Sequence, residues 1–193
     1  MIKTILKSFA ASILIGLGCY CLLKVGSPLG ELLFSLGLMS VCVLGANLFT
    51  GKCGFLIEDK NPKKFVLELL IILAGNLVMG YIVGRLFALS DSSLIPIAQQ
   101  RVGTWNWSLA YFLKSIFCGI IMYLAVKMYK KGNHWGILLG VPLFLFCGFQ
   151  HSIANVIMMG VAGGLYTPLF LCVGGNWTGS LIISYLLKEQ NDK

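Results

Sequence analysis

Long apolar stretches alternate with short polar connections along the chain. A helix needs about 20 apolar residues to cross the hydrocarbon core of a bilayer, which is ~30 Å thick, and six stretches come close to that length. They cover residues 5–23, 29–48, 65–89, 107–128, 135–161 and 169–187. The pattern predicts an all-α integral membrane protein with six transmembrane helices in a single domain over residues 1–193.

Two of these stretches contain glycine and polar residues at membrane depth. Gly45–Gly51 (GANLFTG) follows the apolar part of the second stretch, and Cys147–Asn155 (CGFQHSIAN) lies within the fifth. Non-helical backbone persists at that depth only where it is buried in protein or lines a water-filled cavity. Since interrupted helices hold the ligand sites of many transport proteins, the pattern predicts that helices 2 and 5 are interrupted and border a pathway.

The two halves of the chain also resemble each other. The third stretch carries Ala74–Gly80 (AGNLVMG) and the sixth carries Gly174–Ser180 (GGNWTGS), each after an interrupted stretch. Small residues around a single Asn favour close helix packing, and we prefer that interpretation to direct ligand contact. Each half crosses the membrane three times, so the halves have opposite orientations. The sequence predicts an inverted 3+3 repeat, with repeat one over about 1–90 and repeat two over about 105–190.

Composition and charge agree with a membrane protein. The chain is 58% hydrophobic and 11% charged, with a mean hydropathy of +0.86, whereas soluble domains are about 25% charged. Most of the cations fall on one side of the six-helix arrangement: Lys3, Lys7, Lys52, Lys60, Lys63, Lys64, Lys127, Lys130, Lys131, Lys188 and Lys193. By the positive-inside rule both termini are cytoplasmic, in the cell inner membrane. The sequence has no basic face interleaved with aromatic residues, so we expect no nucleic-acid partner.

The cysteine pattern points to packing. None of the seven cysteines has the C-x-x-C spacing of metal or redox sites, so we expect small apolar packing residues and neither a metal nor a cofactor. An enzyme embedded in the membrane would need a nucleophile with a base, or a set of metal ligands. His151 has no second intramembrane histidine or carboxylate beside it in the sequence, and we therefore expect no enzymatic activity.

Two motifs resemble those of a known family. Gly148–Asn155 (GFQHSIAN) resembles the signature of the formate/nitrite transporter family, and Gly45–Thr50 (GANLFT), preceded by FSLGL at 34–38, resembles its second-helix region. The resemblance covers essentially all six stretches. It implies an aquaporin-like fold, a homopentamer with one pore per protomer, and passage of small monovalent weak-acid anions. Formate is the first expectation, with nitrite, hydrosulfide and lactate as alternatives.

The resemblance also implies roles for individual residues. By motif position Phe34, Leu38 and Phe144 form an outer apolar constriction, Leu48 and Phe49 form an inner one, and Thr50, His151 and Asn155 are the polar groups between and beside them.

Three positions depart from the family pattern. Asn47 stands where the family often has Asp, and Gln150 stands where Glu is common. The family's lysine near the outer start of helix 4 has no counterpart at that spacing. Arg101 is the nearest cation and Lys114 lies deeper, so either is a candidate for attracting the anion.

Proton exchange is the chemistry expected of His151. A bare anion in an apolar constriction is costly by many kcal/mol. A weak-acid anion that takes a proton from a protonated His151, or from water oriented by it, crosses as a neutral acid. Histidine suits this exchange because its ordinary pKa is about 6.5. The other interpretation is a neutral His151 fixed by Thr50 or Asn155, which only polarises water.

Two further expectations concern a different class of channel and the aromatic residues near the fourth stretch. A neutral-solute channel of the aquaporin kind shares a six-helix inverted repeat, but it would carry paired N-P-A loops, which the sequence lacks. Trp105 and Tyr111, near the start of the fourth stretch, are expected at the membrane interface.

Overall fold

The computed structural model describes residues 1–188, and all regular secondary structure within them is helical. The helices are α1 (Ile2–Val25), α2 (Leu29–Val43), α3 (Phe49–Lys52), α4 (Pro62–Ser90), α5 (Leu94–Val102), α6 (Leu109–Lys130), α7 (Trp135–Phe146), α8 (Ser152–Ala162) and α9 (Pro168–Leu186). A 3-10 helix over Cys53–Glu58 continues from α3. Lys193, counted above among the cytoplasmic cations, lies outside the described residues.

Four helices are long and apolar enough to cross a bilayer: α1, α4, α6 and α9, with 24, 29, 22 and 19 residues. The predicted second stretch, residues 29–48, holds α2 and the loop after it, and the short α3 begins one residue beyond its predicted end. The predicted fifth stretch is divided into α7 and α8. The interruptions therefore lie where the sequence places glycine and polar residues.

The same type of turn ends both α2 and α7. Gly45 and Gly148 have φ values of 62° and 65°, a left-handed conformation that glycine adopts without steric cost. The amide after each glycine bonds a carbonyl five residues back, Ala46 to Val41 at 3.0 Å and Phe149 to Phe144 at 2.9 Å. This is the Schellman pattern of helix ends, and it turns the chain back into the protein.

Glycines allow the longest helices to pack backbone to backbone. A Cβ on Gly179 of α9 would overlap the carbonyl oxygen of Ile116 in α6, and a Cβ on Gly84 of α4 would overlap that of Ile157 in α8. Such close approach is how helices associate in a bilayer, where van der Waals contact replaces the hydrophobic effect. The α6–α9 and α4–α8 pairs therefore pack through direct backbone contact.

Helix α5 was not among the predicted elements. Its buried residues Leu94, Ala98 and Val102 recur every four positions, and Gln99 Nε2 donates a hydrogen bond to the Ala162 carbonyl at 3.3 Å. The helix thus lies against α8 and carries Arg101 at its last turn.

An ion pair joins the ends of α1 and α4 beside α5. Lys24 Nζ donates a hydrogen bond to Asp91 Oδ2 at 2.7 Å. This hydrogen bond, with a second from the Ser93 hydroxyl, lowers the pKa of the Asp91 carboxyl to about 2.

Candidate functional site

The short helices α3 and α8 both begin inside the protein, and an asparagine receives the first amide of each. Asn76 Oδ1 accepts a hydrogen bond from the Phe49 amide, and Asn176 Oδ1 accepts one from the Ser152 amide, both at 2.8 Å. Both asparagine side chains are fully buried. The first amides of a helix have no partner within the helix, so each asparagine satisfies a group that would otherwise be orphaned in the interior.

The same asparagines also hold the α2–α3 loop and the α7–α8 loop in place. Asn76 Nδ2 donates to the carbonyls of Ser8 and Asn47, at 2.8 and 3.0 Å. Asn176 Nδ2 donates to the carbonyls of Ser115 and Gln150, at 2.8 and 2.7 Å. Each asparagine therefore ties the loop of its own half to the first helix of that half. The packing interpretation given to them from the sequence was incomplete, because they are hydrogen-bonding anchors as well.

His151 joins the two short helices. Its Nδ1 accepts a hydrogen bond from the Ala154 amide at 3.0 Å, and its Nε2 lies 2.7 Å from Thr50 Oγ1. A backbone N–H can only donate, so Nδ1 carries no proton and the ring hydrogen is on Nε2, which donates to the Thr50 hydroxyl. The ring is 2% exposed. In this arrangement the imidazole is neutral, and Thr50 keeps its own O–H free to donate.

Asn155 lies one turn further along α8. Its Nδ2 donates to Tyr111 Oη and to Gln150 Oε1, both at 3.0 Å. Tyr111 is 5% exposed, so its expected interfacial position is wrong, because its hydroxyl reaches Asn155 in the interior. No sequence pattern distinguished this buried tyrosine from an interfacial one.

The amides that replace the family's acids use their N–H groups. Asn47 Nδ2 donates to the Thr4 carbonyl at 3.3 Å, and Gln150 Nε2 donates to the Gly148 carbonyl at 3.0 Å. A carboxylate cannot make either bond, since it has no hydrogen to donate. Both departures from the family pattern thus have local partners in this chain.

Two cavities are lined by residues of the two interrupted segments and share no lining residue. The Arg101 cavity, of about 320 Å³, is lined by residues of α5, α7 and α8 that include Arg101, Phe144, His151 and Asn155. The Lys130 cavity, of about 310 Å³, is lined by residues of α2, α3 and α6 and the α2–α3 loop. Within residues 1–188, Arg101 is the only residue with a permanent charge that lines the first cavity, and Lys52 and Lys130 are the ones that line the second. Among the described residues no carboxylate lines either cavity.

The predicted constriction residues divide between these cavities. Phe144 lines the Arg101 cavity and stacks on the His151 ring with centroids 5.7 Å apart. Phe34 meets Phe144 edge-on at 6.0 Å. Leu38, grouped from the motif with these two, instead lines the Lys130 cavity together with Leu48.

Phe49 occupies a different environment from the leucines. It is fully buried and packs edge-on against Trp177 at 5.6 Å. Within residues 1–188 it lines neither the Arg101 cavity nor the Lys130 cavity.

The two candidate cations also differ in position. Arg101 lines the cavity that contains His151. Lys114 is exposed on α6 and borders a separate cavity of about 140 Å³, which shares Thr104, Trp105 and Gln150 with the first. Of the two, the structure thus brings only Arg101 into one cavity with His151.

Known proteins with similar sequences are channels and transporters. A family model described as Formate/nitrite transporter matches residues 1–166. The formate channel FocA of Haemophilus influenzae is 26% identical over a 149-residue alignment, which covers 67% of this chain and 52% of that protein. A probable formate transporter of Methanothermobacter thermautotrophicus is 26% identical over 205 residues, covering 82% of this chain and 74% of that protein. The chain spans about half the length of the Haemophilus channel.

Solved structures share the fold. An FNT family ion channel superposes with a TM-score of 0.74 at 20% identity, covering 95% of this chain and 86% of that one. A pentameric formate channel with formate bound gives a TM-score of 0.72 at 21% identity, covering 96% and 93%. With a family model matching most of the chain and the fold shared over nearly all of it, the protein is a multi-pass membrane protein that belongs to the formate/nitrite transporter family.

Proposed function

We propose that the protein is a channel or transporter for small weak-acid anions, with formate as the first candidate and nitrite or hydrosulfide as alternatives. The observation that carries this proposal is the charge of two cavities, one lined by His151 and the other by Leu48 and Gly51 on either side of Thr50: within residues 1–188, every permanently charged residue that lines them is a cation. Cavities lined by one sign of charge concentrate ions of the other sign. The names of the related formate channels and transporters support the same substrate class.

The centre of the pathway offers hydrogen-bond donors to an anion. The Nε2–H of His151 donates to Thr50 Oγ1 at 2.7 Å, which leaves the O–H of Thr50 free to donate to an anion. Helix α8 starts beside them at Ser152, and the positive end of a helix dipole stabilises negative charge nearby. An anion arriving from the Arg101 cavity can therefore be held before it meets the apolar residues.

Passage through the apolar region takes place as the neutral acid. Phe34 and Phe144 are each 1% exposed and leave no room for a hydrated ion between them, and a bare charge there is very costly. Two sources of the proton follow from the sequence, His151 itself or water that it orients. The geometry favours water, because a second proton on the ring would have to displace the Ala154 amide from Nδ1. Proton coupling through His151 then consists of orienting the donor water.

The remaining side chains receive roles from their positions. Phe34 and Phe144 form the constriction next to the Arg101 cavity, and Leu38 and Leu48 form the one next to the Lys130 cavity. Asn155 holds Tyr111 and Gln150 in position beside the Arg101 cavity. Arg101 attracts the anion and Lys114 plays a lesser part. Phe49 acts mainly by packing behind Thr50.

The proposed assembly is an inverted 3+3 repeat of six crossings in a homopentamer, in the cell inner membrane with cytoplasmic termini. The matching hydrogen bonds of Asn76 and Asn176 support the repeat. The pentameric formate channel of similar fold supports the oligomer. The Arg101 cavity then opens to the outside, and the Lys130 cavity, near the N-terminal and α6 lysines, opens to the cytoplasm.

The test is uptake of isotope-labelled formate by proteoliposomes containing the purified protein. Uptake should exceed that of protein-free vesicles and rise as the outside is acidified, because more substrate crosses with its proton. If vesicles containing the folded protein take up formate, nitrite, hydrosulfide and lactate no faster than empty vesicles, the proposed function is wrong.

A further inference from the structure

The Lys130 cavity gathers three lysine side chains, whereas within residues 1–188 the Arg101 cavity is lined by one permanent cation. Lys52 and Lys130 line the Lys130 cavity. Lys7 Nζ lies 3.7 Å from the position that a Cβ on Gly45 would take, and Gly45 is a lining residue of the same cavity. A single cation serves to attract a singly charged anion at the Arg101 cavity, so three exceed what the pathway described above requires.

Little negative charge offsets these lysines. Lys52 Nζ lies 3.8 Å from Glu68 Oε1, which is longer than a hydrogen bond. Within residues 1–188, neither Lys7 nor Lys130 has a carboxylate oxygen within 4.0 Å, and no carboxylate of that part of the chain lines the cavity. Because like charges repel one another, the cavity favours a ligand that carries more than one negative charge.

The ammonium group of Lys130 is held in position by an aromatic ring. Its Nζ lies 3.4 Å from the centroid of the Phe55 ring, a cation–π contact, and Phe55 packs against Tyr123 with centroids 5.1 Å apart. Glu58, on the same 3-10 helix as Phe55, accepts a hydrogen bond from Lys127 Nζ at 3.0 Å. That carboxylate is therefore engaged by a different lysine, and the N–H groups of Lys130 that point away from the ring are available to an anion.

The cavity has room for such an anion and leads to an apolar constriction. Its volume of about 310 Å³ is several times that of a tetrahedral oxyanion. Leu38 and Leu48, assigned above to the constriction on this side, line the same cavity. A singly charged weak-acid anion becomes neutral when it takes one proton and can then pass them. A doubly charged anion still carries a charge after taking one proton, so the apolar residues exclude it.

We propose that the Lys130 cavity is a binding site for doubly charged oxyanions, such as hydrogenphosphate, and that a bound oxyanion blocks the pathway. This inference rests on the proposed function, whose topology places the cavity on the cytoplasmic side. The ammonium groups of Lys7, Lys52 and Lys130 donate charge-assisted hydrogen bonds to the oxygens of the anion. While the anion is bound it lies next to Leu38 and Leu48, so formate cannot enter from that side.

Titration calorimetry on the purified full chain in detergent measures the binding without any flux. Inorganic phosphate is the probe, at fixed ionic strength and at a pH above its second pKa. Lys52→Gln and Lys130→Gln should each weaken phosphate binding about tenfold, as expected for loss of a hydrogen bond from a charged group. Lys60→Gln is the matched control, because it removes the same charge from an exposed lysine that lines a separate surface cavity. No binding by the wild type, or equal weakening in Lys60→Gln, overturns the inference.

Formate uptake by proteoliposomes tests the block. Replacing chloride by phosphate or sulfate on both sides of the membrane, at constant ionic strength, should at least halve uptake by the wild type. Sulfate is included because it stays doubly charged at acidic pH, and the chloride series controls for screening. With each protein compared with its own uptake in chloride, the half-inhibitory sulfate concentration should rise about tenfold in Lys130→Gln. Equal half-inhibitory concentrations in Lys130→Gln and the wild type contradict the block.

The outcomes separate the site from the function. Formate uptake that neither phosphate nor sulfate slows overturns the inference and leaves the proposed function standing, whether or not phosphate binds. Lysine-dependent phosphate binding by a protein that transports none of the weak acids supports the site and overturns the function. Should Lys130→Gln fail to fold, Lys52→Gln decides through the same calorimetric and uptake measurements.

Discussion

His151 serves two purposes with its two ring nitrogens: Nδ1 caps α8 and Nε2–H faces Thr50. The replacement His151→Asn keeps an oxygen that can accept from the Ala154 amide but removes the donor directed at Thr50. We expect formate uptake about tenfold slower, the equivalent of roughly 1.4 kcal/mol, and a flattened dependence on outside pH. Uptake by proteoliposomes at several outside pH values measures both effects.

Thr50→Val is the matched variant, because it preserves the shape of residue 50 and leaves the α8 cap intact. It should also slow uptake while thermal stability stays close to that of the wild type. A His151→Asn protein with the wild-type pH profile contradicts the role in proton coupling and leaves His151 as a structural capping residue.

Arg101 and Lys114 provide a comparison of two cations. Arg101→Gln should raise the half-saturating formate concentration about threefold at low ionic strength, because a charge lining the His151 cavity is lost. Lys114→Gln should have a smaller effect, since Lys114 borders a separate cavity. Added salt should reduce the difference between Arg101→Gln and the wild type. Equal effects of the two substitutions at low salt contradict the assignment to Arg101.

The two sequence motifs named some of the residues that contact each other around His151. His151, Thr50 and Asn155 were predicted together from two motifs, and the structure brings His151 and Thr50 into contact. Tyr111 and Asn176 were not predicted as site residues. Tyr111 contacts Asn155, which is 44 residues away, and Asn176 contacts Ser152, which is 24 residues away. The sequence around a tyrosine at the start of a span does not distinguish an interfacial side chain from one that faces the interior.

The interrupted helices could be predicted because their cause is local. A glycine in the left-handed conformation ends a helix locally, and Gly45 and Gly148 lie at the two turns, whereas the glycines beside Asn76 and Asn176 leave α4 and α9 continuous. The nine-residue α5 could not be predicted by the same criterion. Its apolar face has only Leu94, Ala98 and Val102, too few for a search based on membrane-spanning length, and the helix exists because α8 offers a surface to pack against.

The packing of α6 against α9 depends on glycine at particular positions. Gly179→Ala should reduce stability by about 1–3 kcal/mol, because the added Cβ overlaps the Ile116 carbonyl. Gly174→Ala, on the same helix, has no heavy atom within 4 Å of the added Cβ and should be neutral or slightly stabilising. Thermal unfolding in detergent followed by circular dichroism compares the two, and equal midpoints contradict this packing.

At the scale of the whole molecule, the pattern of apolar stretches predicted a helical membrane protein, and the two sequence motifs predicted its family. They could not supply the two cavities, because one forms where α5, α7 and α8 meet and the other where α2, α3 and α6 meet. Nor did they place Leu38, because one helix can present neighbouring turns to different cavities. Position along the motif put Leu38 with Phe34, whereas the structure puts it with Leu48.

A homopentamer is the expected assembly. Many apolar side chains on α2, α4 and α9 are exposed on the single chain, among them Leu36, Leu67, Val78 and Phe170, and these are available to lipid and to neighbouring copies. Native mass spectrometry of the protein released from detergent should give five times the mass of the chain. A predominant monomer or trimer contradicts the pentamer.

The central claim is that weak-acid anions cross this protein with a proton. Swelling of proteoliposomes in isosmotic ammonium formate, ammonium chloride and glycerol tests it most directly, since chloride is the anion of a strong acid and glycerol is a neutral solute. The pathway described here predicts rapid swelling in formate, faster at acidic pH, and swelling at the rate of empty vesicles in chloride and glycerol. Swelling in glycerol without swelling in formate would identify a neutral-solute channel and contradict the claim.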